Sequence, residues 1–326
     1  MAGNDKWHWQ ERNTTWKGVG IYHMTMSIPS RRPLLGTLVI PNDNPAEAFV
    51  QRTVLGEQLI DCLMHLYEHY PEVRLLRFCL MPDHLHVILH VRREMPRGIK
   101  SVARGFWQAA KKLGRAYSLD NIQVKRPSQA EIDAADPLFT EMPFLRPLVR
   151  HGQLDAMMRY VQMNPQRLAT KRLKSGYFCV QHGVEIKGHT YDAVGNTKIL
   201  LERSRKTVHV RSVMVKAAEE GKPQELRDYM NGCVIAAREG AVMVSPFISP
   251  QEKEVLKVLL REQRTLILLV DNGFREYYKP SDALFDACAA GRLLILSPFQ
   301  RDENKQRISR SECVALNALA EEICSE

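Results

Sequence analysis

The chain has 326 residues, 44% of them hydrophobic and 25% charged, with a net charge of +9, as expected of a globular protein of two domains. No run approaches the ~18 apolar residues of a membrane span, MAGNDKWHWQ lacks the apolar core of a signal peptide, and the seven cysteines include no CxxC pair. A membrane protein, a disulfide framework and a zinc knuckle are thereby set aside, and a cytoplasmic protein is expected.

Charge is unevenly spread. Residues 1–180 carry 25 Lys+Arg against 16 Asp+Glu, and residues 181–326 carry 21 against 21. A polyanion partner is therefore expected for the first half alone.

In chain order, IYHMTMSIPS (21–30) reads as a strand followed by a turn-rich RRPLLG. Residues 46–71 place Phe49, Val50, Val54, Leu55, Leu59, Leu63 and Leu66 on one helix face, ending before Pro71. Residues 73–91 hold two strand-like runs with Met-Pro-Asp between them, a tight connection or a bulge. A second amphipathic helix spans 99–119, a polar loop 120–136, and a third helix begins at 152 and ends in a basic run before Gly176. This order describes a small α+β domain with an antiparallel sheet. Beyond about residue 180, GAVMVSPF, RTLILLVDNG and GRLLILSPF are continuous apolar runs separated by the helical patterns 250–262 and 281–291. Buried strands alternating with helices predict a parallel α/β sheet.

One stretch, MPDHLHVILH (81–90), poses a chemical question. In a strand, Leu85, Val87, Leu89 and Val91 form one apolar face, and His84 and His86 point the other way, roughly 6–7 Å apart along the chain. The pair can be ordinary surface or packed histidines, or two imidazoles converging on one metal ion. Downstream, MMRYVQMNPQR puts Tyr160 and Asn164 at i and i+4 on one helical face. Tyrosine offers a nucleophilic phenol and the Asn carboxamide oxygen a hard ligand for a divalent cation. Asn164-Pro165 equally suits the start of a new helical segment.

Together, MPDHLHVILHV, RYVQMNPQRLA and the opening YHMTMSIPSRRPLLG resemble the single-tyrosine HUH transposases, most closely the REP-associated tyrosine transposases, over residues 20–178. The resemblance implies a ferredoxin-like α+β HUH domain over residues 1–180. It implies Tyr160 as nucleophile, and His84, His86 and Asn164 as ligands of Mg²⁺ or Mn²⁺; two imidazoles would also admit Zn²⁺ or Ni²⁺. Attack by Tyr160 on phosphorus would leave a 5′-phosphotyrosine and a free 3′-hydroxyl, so that strands are joined without ATP. Single-stranded DNA beside a hairpin is the implied partner and the nucleoid of a bacterial cytoplasm the expected location; a homodimer is one assembly open to it, the sequence leaving the oligomeric state undecided. Among basic residues, Arg104 and Lys111 with Trp107 suit single-strand binding by phosphate contact and stacking. Arg159, Arg167, Lys171 and Arg172 surround the tyrosine and suit backbone contacts.

The second half, residues 181–326, faintly resembles the Rossmann-like domain of DNA-processing protein A, a loader of single-stranded DNA. It has no Gly-x-Gly-x-x-Gly or Walker loop. Ser245 and Ser297 end apolar runs, at the carboxyl ends of strands where open α/β sheets bind ligands. Two further readings stand beside the transposase: a domesticated protein that binds hairpin DNA without turnover, and a metallohydrolase with hydroxide as nucleophile.

Overall fold

A computed structural model describes residues 19–121, 123, 127–276 and 278–325. Residues 1–18, where a signal was sought, lie outside the described residues. The chain divides into two units between Ala169 and Thr170.

The first unit comprises β1 (Gly20–Ser27), β2 (Gly36–Val39), β3 (Phe49–Arg52), α1 (Val54–Met64), α2 (Leu66–His69), β4 (Val73–Leu80), β5 (His84–Val91), α3 (Ile99–Asn121), α4 (Gln129–Ala134), β6 (Phe144–Pro147) and α5 (Gln153–Gln162); α6 (Asn164–Leu173) runs across the division. Strands β4-β5-β1-β6 form an antiparallel sheet in that order. With α1 between β1 and β4, and α3 between β5 and β6, the chain traces β-α-β-β-α-β.

Period-two alternation assigns the two faces of this sheet. Tyr22, Met24, Met26, Leu85, Val87, Leu89 and Leu145 are buried in one core with Leu55, Leu59 and Leu63 of α1 and Val102, Ala103 and Phe106 of α3. The opposite face presents His84 and His86, with Thr25 paired across from His86 and Ser27 from His84. Helix α5 packs on this face, across β4 and β5.

Two expectations for this region are corrected, and the new helical segment that Asn164-Pro165 suits is found. The helix expected from residue 46 begins at Val54, because Phe49–Arg52 pairs instead with Gly36–Val39 as a two-stranded ribbon. Thr53 caps the helix by accepting from the Gly56 N–H. The polar segment 120–136 contains α4, started by a reciprocal Ser128–Glu131 capping box; Ile122 and residues 124–126 lie outside the described residues. The third helix is broken at Met163, since Pro165 supplies no N–H to continue the ladder.

In the second unit α7 (Ser175–Phe178), β7 (Gln181–Ile186), β8 (His189–Gly195), β9 (Arg205–Thr207), α8 (Ser212–Glu219), α9 (Gln224–Arg238), β10 (Val242–Ser245), α10 (Pro250–Arg261), β11 (Leu266–Leu269), α11 (Asp282–Ala289), β12 (Leu293–Ser297) and α12 (Arg310–Cys324) follow. Strands β9 to β12 lie side by side in sequence order and parallel, with the antiparallel hairpin β7–β8 added beyond β12. Met243, Leu266, Leu268, Leu293 and Ile295 bury one face against Cys233 of α9, Val255 of α10 and Phe285 of α11. Val242, Val244, Ile267, Leu269, Leu294 and Leu296 bury the other against Leu316, Ala320 and Ile323 of α12. Continuous apolar strands follow from this two-sided burial. Phe178 belongs to the first of these cores, stacked 4.7 Å from Phe285, which puts the division before residue 180. No described helix is long and apolar enough to cross a membrane.

Candidate active site

The polar face of the first sheet and helix α5 bring His84, His86 and Tyr160 together. The two imidazoles stand edge to face with centroids 4.8 Å apart, and the Tyr160 ring is 5.5 Å from that of His86 at 72°. The direction of the His84–His86 pair is fixed by the core on the far side of the sheet, where Leu85, Val87 and Leu89 are buried. Slipping β5 by one residue would exchange Leu85 and Val87 for the histidines.

Each histidine is held by its Nδ1. His84 Nδ1 lies 2.6 Å from Asp83 Oδ1, and Arg31 approaches the other carboxylate oxygen at 3.4 Å. Burial alone would raise the Asp83 pKa, but the hydrogen bond and charge of His84, with Arg31, outweigh it and hold the carboxyl below its usual value. His86 Nδ1 lies 2.9 Å from Thr25 Oγ1 and 3.0 Å from His23 Nε2. Burial, reinforced by the charge of Arg146, lowers the His23 pKa to about 4, so His23 is neutral at neutral pH. A neutral His23 that accepts at Nε2 receives the His86 Nδ1–H. Nε2 is then the nitrogen through which His86 would coordinate a metal, the arrangement by which outer partners fix the tautomer of a ligand histidine.

Tyr160, Asn164 and Arg167 share one face of the broken helix at i, i+4 and i+7. Asn164 is 4% exposed and its Nδ2 has no hydrogen-bond partner. A half-turn of the amide about Cβ–Cγ would exchange that donor for the Oδ1 acceptor, as a cation would require. Among the described residues no group of three His, Cys, Asp or Glu side chains could hold a metal ion. Two imidazoles with pinned Nδ1 atoms, and a buried carboxamide one helical turn from Tyr160, are donor types that suit a divalent ion. The Arg167 guanidinium, itself buried, sits 5.7 Å over the Tyr160 ring. It brings positive charge against the tyrosine ring.

Other expected contacts are not gathered here. Arg104, Trp107 and Lys111 lie on α3, which packs on the opposite face of the sheet. Trp107 is anchored by its Nε1–H to the Phe139 carbonyl at 2.8 Å, with Lys111 4.5 Å over its ring. Arg159 is exposed on α5, and Lys171 and Arg172 fall past Ala169 in the second unit. In that unit Ser245 and Ser297 are consumed by their own turns, accepting from the Phe247 and Phe299 N–H groups. His23, Thr25 and Asp83 were missed by sequence reasoning. Asp83 adjoins the histidines in sequence, a usable signal; His23 and Thr25 become neighbours only through the β1–β5 register.

No protein-family model matches the chain, and no curated protein does. Solved structures do: a REP-associated tyrosine transposase bound to a REP hairpin, at 13% identity and TM-score 0.31 over 48% of this chain and 72% of that one. A candidate transposase from Deinococcus radiodurans R1 aligns at 15% identity and TM-score 0.27 over 47% of this chain and 96% of the other. Likeness at this level carries no argument about activity. The functional reading rests on the side chains.

Proposed function

We propose that the first unit, read as a ferredoxin-like HUH domain, is a metal-dependent single-strand DNA transferase in which Tyr160 is the nucleophile. The observation that carries this reading is the Tyr160 ring set 5.5 Å from His86, on the same sheet face as His84. His84, His86 and Asn164 would hold Mg²⁺ or Mn²⁺, which when bound polarises the scissile phosphate and offsets its developing charge.

The chain's own residues do the rest. Tyr160 Oη attacks phosphorus and the P–O3′ bond breaks; the phenol proton passes to solvent, and the departing 3′-oxygen takes one up. Arg167 steadies the phosphate beside the ring, and Asp83, Thr25 and His23 orient the histidines. The 5′-phosphotyrosine keeps the phosphoester energy, so reversal with another 3′-hydroxyl joins strands without a nucleotide cofactor. The reading expects single-stranded DNA beside a hairpin as substrate, two chains acting as a homodimer, and a cytoplasmic, nucleoid-associated place of work.

Its test is a 3′-labelled hairpin-flanked oligonucleotide with Mn²⁺. Label should migrate with the wild-type protein on a denaturing gel. A domesticated binder would shift the DNA on a native gel only, and a metallohydrolase would release product without an adduct.

A further inference from the structure

The loops after β11 and β12 leave the parallel sheet on opposite sides. The first leads to α11, whose Phe285, Ala287 and Cys288 pack on one face, and the second to α12, whose Leu316, Ala320 and Ile323 pack on the other. Where adjacent loops diverge in this way, an open α/β sheet has a crevice outside the carboxyl ends of its strands. A cavity of about 500 Å³ occupies that place, lined by Asn272, Phe274, Arg275, Tyr278 and Lys279 from the first loop and Arg301 from the second. The volume lies in the range of small-molecule sites.

The crevice is built. Asn272 Nδ2 donates to the Asp302 carbonyl at 2.8 Å, while Asn272 Oδ1 accepts from the Asp302 N–H at 2.9 Å. Lys305 ties the same two loops by bonding the Asp271 carbonyl, and reaches Glu312 at 2.6 Å. Gly273 allows the loops to meet, since a Cβ there would lie 2.4 Å from the Arg301 nitrogen. The side chains then divide the space chemically. Arg275, Lys279 and Arg301 supply cations, and Phe274 and Tyr278, with ring centroids 4.7 Å apart, supply an aromatic wall. Glu303 meets Arg301 at 3.0 Å and Arg275 at 3.8 Å, so a carboxylate of the chain already engages both guanidinium groups.

We propose that this crevice binds a nucleoside 5′-phosphate, its phosphate replacing Glu303 on Arg275 and Arg301 and its base lying against Phe274 and Tyr278. Planar guanidinium pairs suit phosphate oxygens, and an aromatic wall suits any base. The unit bound is either a free nucleotide or one nucleotide of a strand.

Titration calorimetry on the full-length chain tests the proposal, with deoxyadenosine 5′-monophosphate, inorganic phosphate, deoxyadenosine and a twelve-residue oligothymidylate as probes. The monophosphate should bind at least tenfold more tightly than phosphate or the nucleoside alone. Arg301→Gln should weaken it about tenfold, and Glu303→Gln should strengthen it by removing the competing carboxylate. Lys279→Gln guards against an Arg301 variant that does not fold, and should weaken binding severalfold. If only the oligothymidylate responds to these three variants in these directions, the nucleotide belongs to a strand. Two results overturn the proposal: neither probe responds to the variants, or inorganic phosphate binds as well as the nucleotide. The readout is binding in the second unit, so it stands or falls independently of chemistry at Tyr160.

Discussion

His86 Nδ1 and Thr25 Oγ1 are 2.9 Å apart across the β1–β5 pair, so the strand that neighbours the histidines sets which nitrogen His86 presents. Asp83 does the same for His84 at 2.6 Å. Outer partners of this kind typically contribute about 10–100-fold to metal affinity.

Thr25→Val keeps the shape of the side chain and removes its hydroxyl, leaving His23 as the other Nδ1 partner. Mn²⁺ affinity should fall by roughly tenfold, towards the low end of that range. Asp83→Asn removes a charge as well as an acceptor and should cost more. Calorimetric Mn²⁺ titration of the two variants checks both the losses and their order; equal affinity to wild type in both would remove the orienting role.

Replacing a ligand should do more than replacing its support. His84→Ala and His86→Ala should each abolish strand cleavage and weaken Mn²⁺ binding well beyond the Thr25→Val loss. Cleavage that survives either substitution, or an excess of chelator, would exclude a metal held by these residues.

The charge surplus predicts where DNA binds. A fragment ending after Leu173, the last residue of α6, should retain hairpin binding, with affinity falling steeply as salt rises because phosphate contacts release counterions. Anisotropy at two salt concentrations decides it. A shallow slope would mean that the surplus before residue 181 is not a phosphate-contacting surface.

Glu252 makes a stability prediction for the second unit. It is 2% exposed and accepts from the backbone N–H groups of Val210, Ile248 and Ser249. Glu252→Ala strands three donors and should destabilise the unit by roughly 2–4 kcal/mol. Urea melts of the variant should show this loss with DNA binding by the first unit unchanged.

What the sequence discloses here follows from which forces are local. Alternation on β5 is local, and it correctly separates Leu85 and Val87 from His84 and His86. The i, i+4, i+7 relation of Tyr160, Asn164 and Arg167 is local too, and survives the kink at Pro165. Apolar runs buried on both faces announce β10, β11 and β12 without any partner being known. Pairing is not local. Thr25 meets His86 only through register, and Phe49–Arg52 has helix-compatible spacing until Gly36–Val39 claims it as a strand. The side of the sheet on which α3 packs is likewise a tertiary choice, so the sequence does not tell that Trp107 and Lys111 lie behind the histidines. Strand β9, three residues of Arg-Lys-Thr, has no apolar signature to read, because it is an edge strand held by pairing with β10.

The measurement closest to the central claim compares wild type with Tyr160→Phe on the 3′-labelled hairpin-flanked oligonucleotide in Mn²⁺. The phenyl ring still packs against His86, so DNA affinity should stay within a few fold while the covalent adduct disappears from the denaturing gel. Adduct formed by Tyr160→Phe at the wild-type rate would mean that another residue attacks the phosphate, and that this tyrosine is not the nucleophile.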